Sequence, residues 1–154
     1  MTTFITRCGK QLAADEVFEA WTSGDLDRMV QALLLPTHPV DRHFLLMGIV
    51  EQSYKLQGLD EMRELCLRVG RLHAAEYPGI APALREDANG QLPPQVPSFV
   101  KLIALLEDEG ELEEAARVCE MAIGFGLEDG TKGGYKRRLA SIARTLSERQ
   151  SGDA

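Results

Sequence analysis

The chain has 154 residues, 44% of them hydrophobic and 27% charged, with a net charge of −7 and a pI of about 5.0. This length suits one domain with a sizeable core. The acidic balance argues against general nucleic-acid binding, and no apolar run is long enough to predict a membrane-spanning helix. Only 6% of the residues are aromatic, and no alternating pattern predicts a strand, so helices are favoured.

The N-terminal residues and the cysteines indicate the compartment. The first residues lack the apolar centre of a signal peptide. Cys8, Cys66 and Cys119 are an odd number and include no CxxC pair, which favours reduced thiols. We therefore expect a cytoplasmic protein. Residues 1–12 show no periodicity and are expected to form a loose N-terminal arm.

Two short helices are predicted next. Apolar residues at helical spacing predict a helix over about residues 13–21, and Gly24 is expected to prevent it from continuing. Asp25 then caps a second helix. The proline-containing stretch 36–39 ends that helix, because the residue before a proline is disfavoured in the α region.

Two longer helices follow. Asp41 opens the third helix and Gly58 ends it. Its inward stripe is expected to be Phe44, Met47, Val50 and Tyr54. Asp60 caps the fourth helix, and Pro78 is expected to stop it. Residues 76–97 are rich in proline and glycine and predict a loop insertion.

The strongest pattern is a helical hairpin over residues 97–126. Its first helix has apolar residues at i, i+3, i+4 and i+7, namely Phe99, Leu102, Ile103 and Leu106. Its second helix repeats this with Leu112, Ala115, Cys119, Ala122 and Ile123. Gly110 joins the two helices. Such a hairpin cannot bury its apolar face alone, so we expect further helices to pack on it.

This hairpin resembles a tetratricopeptide (TPR) repeat. The matching residues are Phe99, Leu102, Leu106, Gly110, Ala115, Cys119 and Ala122. Ile103 and Leu127 depart from the family, which usually has Gly or Ala at the first position and often Pro at the second. The resemblance implies an all-α fold, a TPR-like stack of about three helical hairpins plus a C-terminal capping helix.

The spacing of the glycines in the predicted turns can be compared with the length of a TPR repeat. Gly24 and Gly58 are 34 residues apart, which is the TPR period. Gly110 follows 52 residues after Gly58, and the excess of 18 matches the predicted insertion. The whole chain, residues 1–154, is then one helical-repeat domain. An irregular helical bundle with chance spacing is the alternative.

Charge is unevenly distributed near the C-terminus. Residues 105–130 contain nine acids and one base, whereas residues 131–149, the predicted last helix, contain six bases and one acid. These residues could simply be solvated. Alternatively, Lys136, Arg137 and Arg144 form an electropositive face. The approach to this basic helix resembles the C-terminal ends of uncharacterised bacterial helical-repeat proteins, which implies a common build and no known activity.

The TPR resemblance also implies a function. In that family the first helix of each hairpin lines a binding groove. The corresponding positions here are Gln52, Lys55, Val100, Ala104, Glu107 and Asp108. The Lys and Asn residues that clamp a C-terminal carboxylate in some TPR domains are missing. We therefore expect a protein–protein interaction module that binds a mixed apolar and polar peptide.

No catalytic or metal-binding motif is evident. Cys66 and His73 could share one helix face, but two ligands do not make a zinc site. The Gly-rich stretch 126–135 lacks a phosphate-loop motif. We therefore expect no enzyme activity, no metal and no cofactor. Two alternatives stay open: a regulatory protein that binds an acidic partner or nucleic acid through the basic helix, and a structural homo-oligomer.

Overall fold

The computed structural model describes residues 2–152, and the fold is essentially all-α, with 70% helix and 5% strand. Met1, in the predicted arm, and residues 153–154, in the predicted domain, lie outside the described residues. The chain divides into two compact units, one ending at Pro93 and the other beginning at Pro94. One helical-repeat domain over residues 1–154 stays a prediction.

Each unit is built mainly from helices. The first contains β1 Phe4–Arg7, β2 Lys10–Ala13, α1 Glu16–Ser23, α2 Leu26–Gln31, a short 3-10 helix Ala32–Leu34, α3 Pro39–Lys55 and α4 Asp60–Asp87. The second contains α5 Pro97–Asp108, α6 Leu112–Gly124 and α7 Gly134–Gly152. Three successive helix pairs, joined near Gly24, Gly58 and Gly110, are followed by a last helix, which is compatible with a helical repeat.

The N-terminal residues form a β-hairpin, so the prediction of a loose arm is wrong. β1 and β2 are antiparallel, and Arg7 pairs with Lys10 across the turn. Cys8 and Gly9 make the turn with positive φ angles of 52° and 77°. Such angles match the twist of tight hairpins. The hairpin is anchored by the Cys8 amide, which donates to Asp87 Oδ1 at 2.8 Å.

α3 begins earlier than predicted. It starts at Pro39, and His38 Nδ1 accepts a hydrogen bond from the Val40 amide as the N-cap. Asp41 therefore does not open the helix. Its carboxylate is buried and accepts from Arg7 Nη2 at 2.7 Å and from Trp21 Nε1 at 3.0 Å. Asp41 thus connects the β-hairpin and α1 to α3.

The predicted loop over residues 76–97 is wrong in its first half, because α4 continues to Asp87 through Pro78 and Pro82. Both prolines are exposed. An interior proline removes a backbone hydrogen bond and costs about 3 kcal/mol. Burial of Tyr77, Ile80, Ala81 and Leu84 in the same part of the helix offsets this cost. Within the predicted loop, residues 88–96 are the part that lacks a helix.

α3 lies at the centre of the first unit and contacts α1, α2 and α4. It therefore buries more than one stripe. Of the stripe predicted for it, Val50 is buried while Phe44, Met47 and Tyr54 are only half-buried. The fully buried residues of α3 include Leu45, Leu46 and Ile49.

The hairpin predicted in the second unit is confirmed. α5 and α6 lie within residues 97–126, and Gly110 takes a φ of +78° between them. Of the apolar residues predicted to face inward, Phe99, Leu102, Ala115 and Ala122 are at most 1% exposed. Leu112 is 5% exposed, and Ile123 is only half-buried. α7 packs on α6, beginning at Gly134, and buries Tyr135 and Ile142.

Candidate functional site

The first unit contains an apolar groove of about 750 Å³, which we call the leucine groove. One wall is residues 33–37 together with Pro39. The other wall is Ala75, Glu76, Gly79 and Ile80 of α4, and Arg42 of α3 also lines it. Most of these residues are apolar, Thr37 is polar, and the two charged side chains, Arg42 and Glu76, are paired with each other.

Local sequence explains the first wall. After α2 the chain makes the short 3-10 helix Ala32–Leu34, which is anchored by the buried Ala32. Leu35 precedes Pro36 and takes the extended conformation, with φ −85° and ψ 140°, as residues before proline do. The chain then runs to Pro39, whose fixed φ suits the first turn of a helix.

Arg42 ties this wall to α4. Its Nε and Nη2 donate to the two carboxylate oxygens of Glu76, each at 2.9 Å, and its Nη1 donates to the Leu33 carbonyl. The ion pair is only partly exposed. All three guanidinium nitrogens are engaged, so Arg42 fixes the spacing of the two walls.

A second anchor lies at the far end of the wall. Thr37 Oγ1 donates to Asp15 Oδ2 at 2.7 Å, and Asp15 also caps α1. The segment is therefore held at Leu33 and at Thr37. Between these anchors the Leu34 side chain is 95% exposed and Leu35 is 42% exposed. The fold thus presents two leucines to solvent on a fixed backbone.

The wall of the leucine groove that α4 forms carries small side chains. Ala75 and Gly79 are one helical turn apart, so they lie on the same face, and both are exposed. A Cβ placed on Gly79 would have no atom within 4 Å. Small side chains at this spacing leave a shallow depression on α4, opposite the exposed leucines.

The residues predicted to line a TPR-type groove are divided between the units. In the first unit Lys55 is exposed, and the Gln52 amide donates to the Gly24 carbonyl at 2.8 Å. In the second unit Val100 and Ala104 are half-buried, and Glu107 and Asp108 are exposed. A single groove across these six residues stays a prediction.

One residue of the predicted TPR-type groove and one residue of the predicted electropositive face lie close together in the second unit. Glu107 and Arg137 line the same cleft of about 300 Å³, together with Thr131, Gly134, Arg138 and Ser141. Although Glu107 is exposed, desolvation of its carboxyl by the surrounding residues raises its pKa, and nearby Arg138 opposes this shift. Arg138 donates to Asp129 at 2.5 Å, and the side chain of Asp129 is fully buried. Asp129 also accepts from the Thr131 amide, so the Gly-rich segment is organised by its own side chains.

The other basic residues predicted as an alternative site lie on α7. Lys136, Arg137 and Arg144 are all exposed, and none of them forms an ion pair within residues 2–152. The buried side of α7 is formed by Tyr135 and Ile142. The structure thus keeps three unneutralised cations on one helix of an acidic chain.

Two of the three histidines and two of the three thiols are buried. His43 on α3 and His73 on α4 are buried and hydrogen-bonded to each other, which the sequence did not indicate. His73 is fully buried. Burial raises the pKa of Cys119 to about 11. Cys8, Cys66 and Cys119 are free, and Cys8 Sγ donates to the Ala83 carbonyl at 3.4 Å.

The site that sequence reasoning missed is the leucine groove. Its signal in the sequence is the run Leu33, Leu34, Leu35 and Pro36. Three adjacent leucines cannot all face inward on a helix, because successive residues point 100° apart. That geometry required at least one of them to be exposed.

Comparisons with protein-family models, curated proteins and solved structures found no match to this chain. Within residues 2–152 no helix combines the length and apolarity that crossing a membrane requires. Across the same residues no group of three or more His, Cys, Asp or Glu side chains is arranged to hold a metal ion.

Proposed function

We propose that this chain is a protein–protein interaction module without a catalytic role, and that the leucine groove is its main binding surface. The observation that supports this most directly is Leu34, which is 95% exposed at the rim of a groove with apolar walls. Burying a leucine side chain contributes about 1.5–3 kcal/mol. Leu34 and Leu35 on their fixed backbone are the apolar surface that we assign to the partner.

The chemistry of the described residues agrees with a binding role. His43 and His73 are buried against each other, and burial raises the pKa of the Cys119 thiol, which keeps it protonated. These three side chains are therefore poorly placed to act as a nucleophile or as acid–base groups. The helical hairpins are compatible with a TPR-type binding module, and a cytoplasmic setting fits the three free thiols.

The ligand that fits the leucine groove is an apolar segment of a protein, either extended or helical. Arg42 and Glu76 neutralise each other, so the groove has no net charge to attract an ionic ligand. Backbone groups near Pro36 and Pro39 offer few donors because proline has no N–H. Affinity would therefore come from apolar side chains that contact Leu34 and Leu35.

A peptide-display selection on the immobilised protein tests this function without knowledge of the natural partner. We expect the selected peptides to be rich in apolar residues and to lose binding to Leu34→Asp. The matched control is Leu59→Asp, because Leu59 is 61% exposed in the same unit but lies outside the groove. Peptides that bind wild type and the control, but not Leu34→Asp, would support the proposal.

The same selection distinguishes the predicted TPR-type groove. Lys55→Glu combined with Ala104→Arg changes two of its positions while leaving the leucine groove intact. If the selected peptides tolerate Leu34→Asp but are lost in this double variant, the leucine groove is the wrong surface. Melting temperatures of all variants show whether any loss of binding is a loss of folding.

A second candidate function is binding of an acidic partner through α7. The observation that favours it is the set of exposed, unpaired cations Lys136, Arg137 and Arg144. Binding to poly-glutamate or to a single-stranded oligonucleotide would then weaken steeply with salt. Charge reversal at these three residues should abolish that binding and leave groove-dependent peptide binding unchanged.

A further inference from the structure

The leucine groove has both halves of a self-complementary contact. Leu34 and Leu35 protrude from one wall, and Ala75 and Gly79 leave a depression on the other. A twofold axis places the same patch of two subunits face to face. If one residue of the first subunit contacts a second residue in its partner, the second residue of the first subunit then contacts the first residue of the partner. A patch that contains both a protrusion and a depression has the two features that such a contact needs.

Charge also favours a copy of the same chain at this patch. The chain has a net charge of −7, so two copies repel each other over most approaches. The leucine groove is an exception, because Arg42 and Glu76 form its only charged pair and neutralise each other. Two copies can therefore meet here without bringing unpaired like charges together.

We propose that the leucine groove binds a second copy of this chain, with Leu34 of each copy seated over Ala75 and Gly79 of the other. This inference rests on the proposed function, since it names the partner for the same groove. The groove involves far fewer residues than the 20–30 per side of a standard interface. The dimer is accordingly a weak one that dissociates on dilution.

Sedimentation or light scattering over about 1–200 µM tests the dimer, because this range brackets micromolar association. We expect the mass to rise with concentration from 17.0 kDa toward twice that value. Leu34→Asp should remain monomeric at every concentration. Leu59→Asp should dimerise like wild type, because its site is on the α3–α4 turn, roughly 20 Å along α3 from Arg42.

A cross-linking experiment tests the geometry. In a Cys8→Ser background, which removes the one thiol that is not buried, two single variants are made, Leu34→Cys and Ala75→Cys. Mixing them under mild oxidation should yield a disulfide-linked dimer several-fold faster than either variant alone. Equal rates in the mixture and in the separate samples would overturn the proposed seating.

The outcomes separate the two proposals. Wild type that stays monomeric up to the highest concentration overturns the second copy as occupant. If the displayed peptides still require Leu34 in that case, the interaction function stands and the occupant is a different protein. If dimerisation occurs but is lost in Leu59→Asp and kept in Leu34→Asp, the patch at the α3–α4 turn is the interface, and the proposal fails.

Discussion

His43 Nδ1 and His73 Nε2 are 2.9 Å apart in the core of the first unit, where they join α3 to α4. One ring must donate and the other accept, so the pair fits two neutral imidazoles with one N–H between them. Burial lowers the pKa of His43 to about 4. Burial, with smaller contributions from His43 and Arg42, lowers the pKa of His73 well below its usual value.

This pair predicts that stability falls in mild acid. The ordinary imidazole pKa is 6.5, so below that value the unfolded chain takes up protons that the folded pair resists. The stability is fully present above pH 6.5 and is lost progressively as the pH falls toward about 4. Between pH 7 and pH 5 we expect His43 to lose about 2 kcal/mol of stabilisation, and His73 to add a loss in the same direction.

Chemical denaturation at pH 7, 6 and 5 measures this loss. The double variant His43→Leu with His73→Leu removes both groups and keeps similar volume, so its free energy of unfolding should be nearly flat over the same range. Most carboxylates titrate below this window, so they contribute little to the slope. A double variant as pH-sensitive as wild type would contradict the assignment.

A second prediction concerns Asp41. Its carboxylate accepts from Arg7, whose side chain is only 13% exposed, and from Trp21. Asp41→Ala leaves Arg7 without its partner and should lower the free energy of unfolding by about 3–5 kcal/mol. Glu16→Ala is the control, because it breaks the exposed pair with Arg28. Thermal unfolding should show a large drop for Asp41→Ala and little change for Glu16→Ala.

A third prediction concerns close packing in the second unit. Ala122 on α6 is fully buried. Ala122→Leu should therefore destabilise the protein by about 1–3 kcal/mol through overpacking. Arg144→Ala, on the exposed side of α7, should cost under about 0.5 kcal/mol. Equal effects of the two substitutions in urea denaturation would mean that the contact of α6 with its neighbours is misplaced.

A fourth prediction concerns Tyr135. Its side chain is 2% exposed, and within residues 2–152 its hydroxyl has no hydrogen-bond partner. Desolvation of a hydroxyl without a partner costs about 1–3 kcal/mol, so Tyr135→Phe should leave stability unchanged or raise it. Tyr135→Ala should instead lose about 3–5 kcal/mol through the cavity. A clear drop in Tm for Tyr135→Phe would show that the hydroxyl is satisfied.

Periodicity by itself determined the helical fold and the hairpin over residues 97–126. Phe99, Leu102, Ala115 and Ala122 recur at helical spacing, and all four are buried. Such local patterns can be recognised in the sequence because the helix face that is buried must be apolar. The turn at Gly110 was readable for a related reason, since a positive φ favours glycine.

Tertiary contacts decided the features that sequence reasoning missed. Pro78 is a helix breaker by its local chemistry, yet α4 continues past it because Tyr77 and Ile80 are buried. Residues 4–13 show no convincing strand pattern, yet they form a hairpin that Arg7 and Cys8 anchor to α3 and α4. These contacts join residues at least 34 positions apart in the chain.

The leucine groove also depends partly on the sequence and partly on tertiary contacts. The sequence shows three adjacent leucines before Pro36, but their burial depends on where Arg42 and Thr37 fix the chain. Arg42 reaches Glu76, which is 34 residues away. Periodicity reports which residues a helix can bury, whereas the exposure of Leu34 follows from partners that only the folded chain brings together.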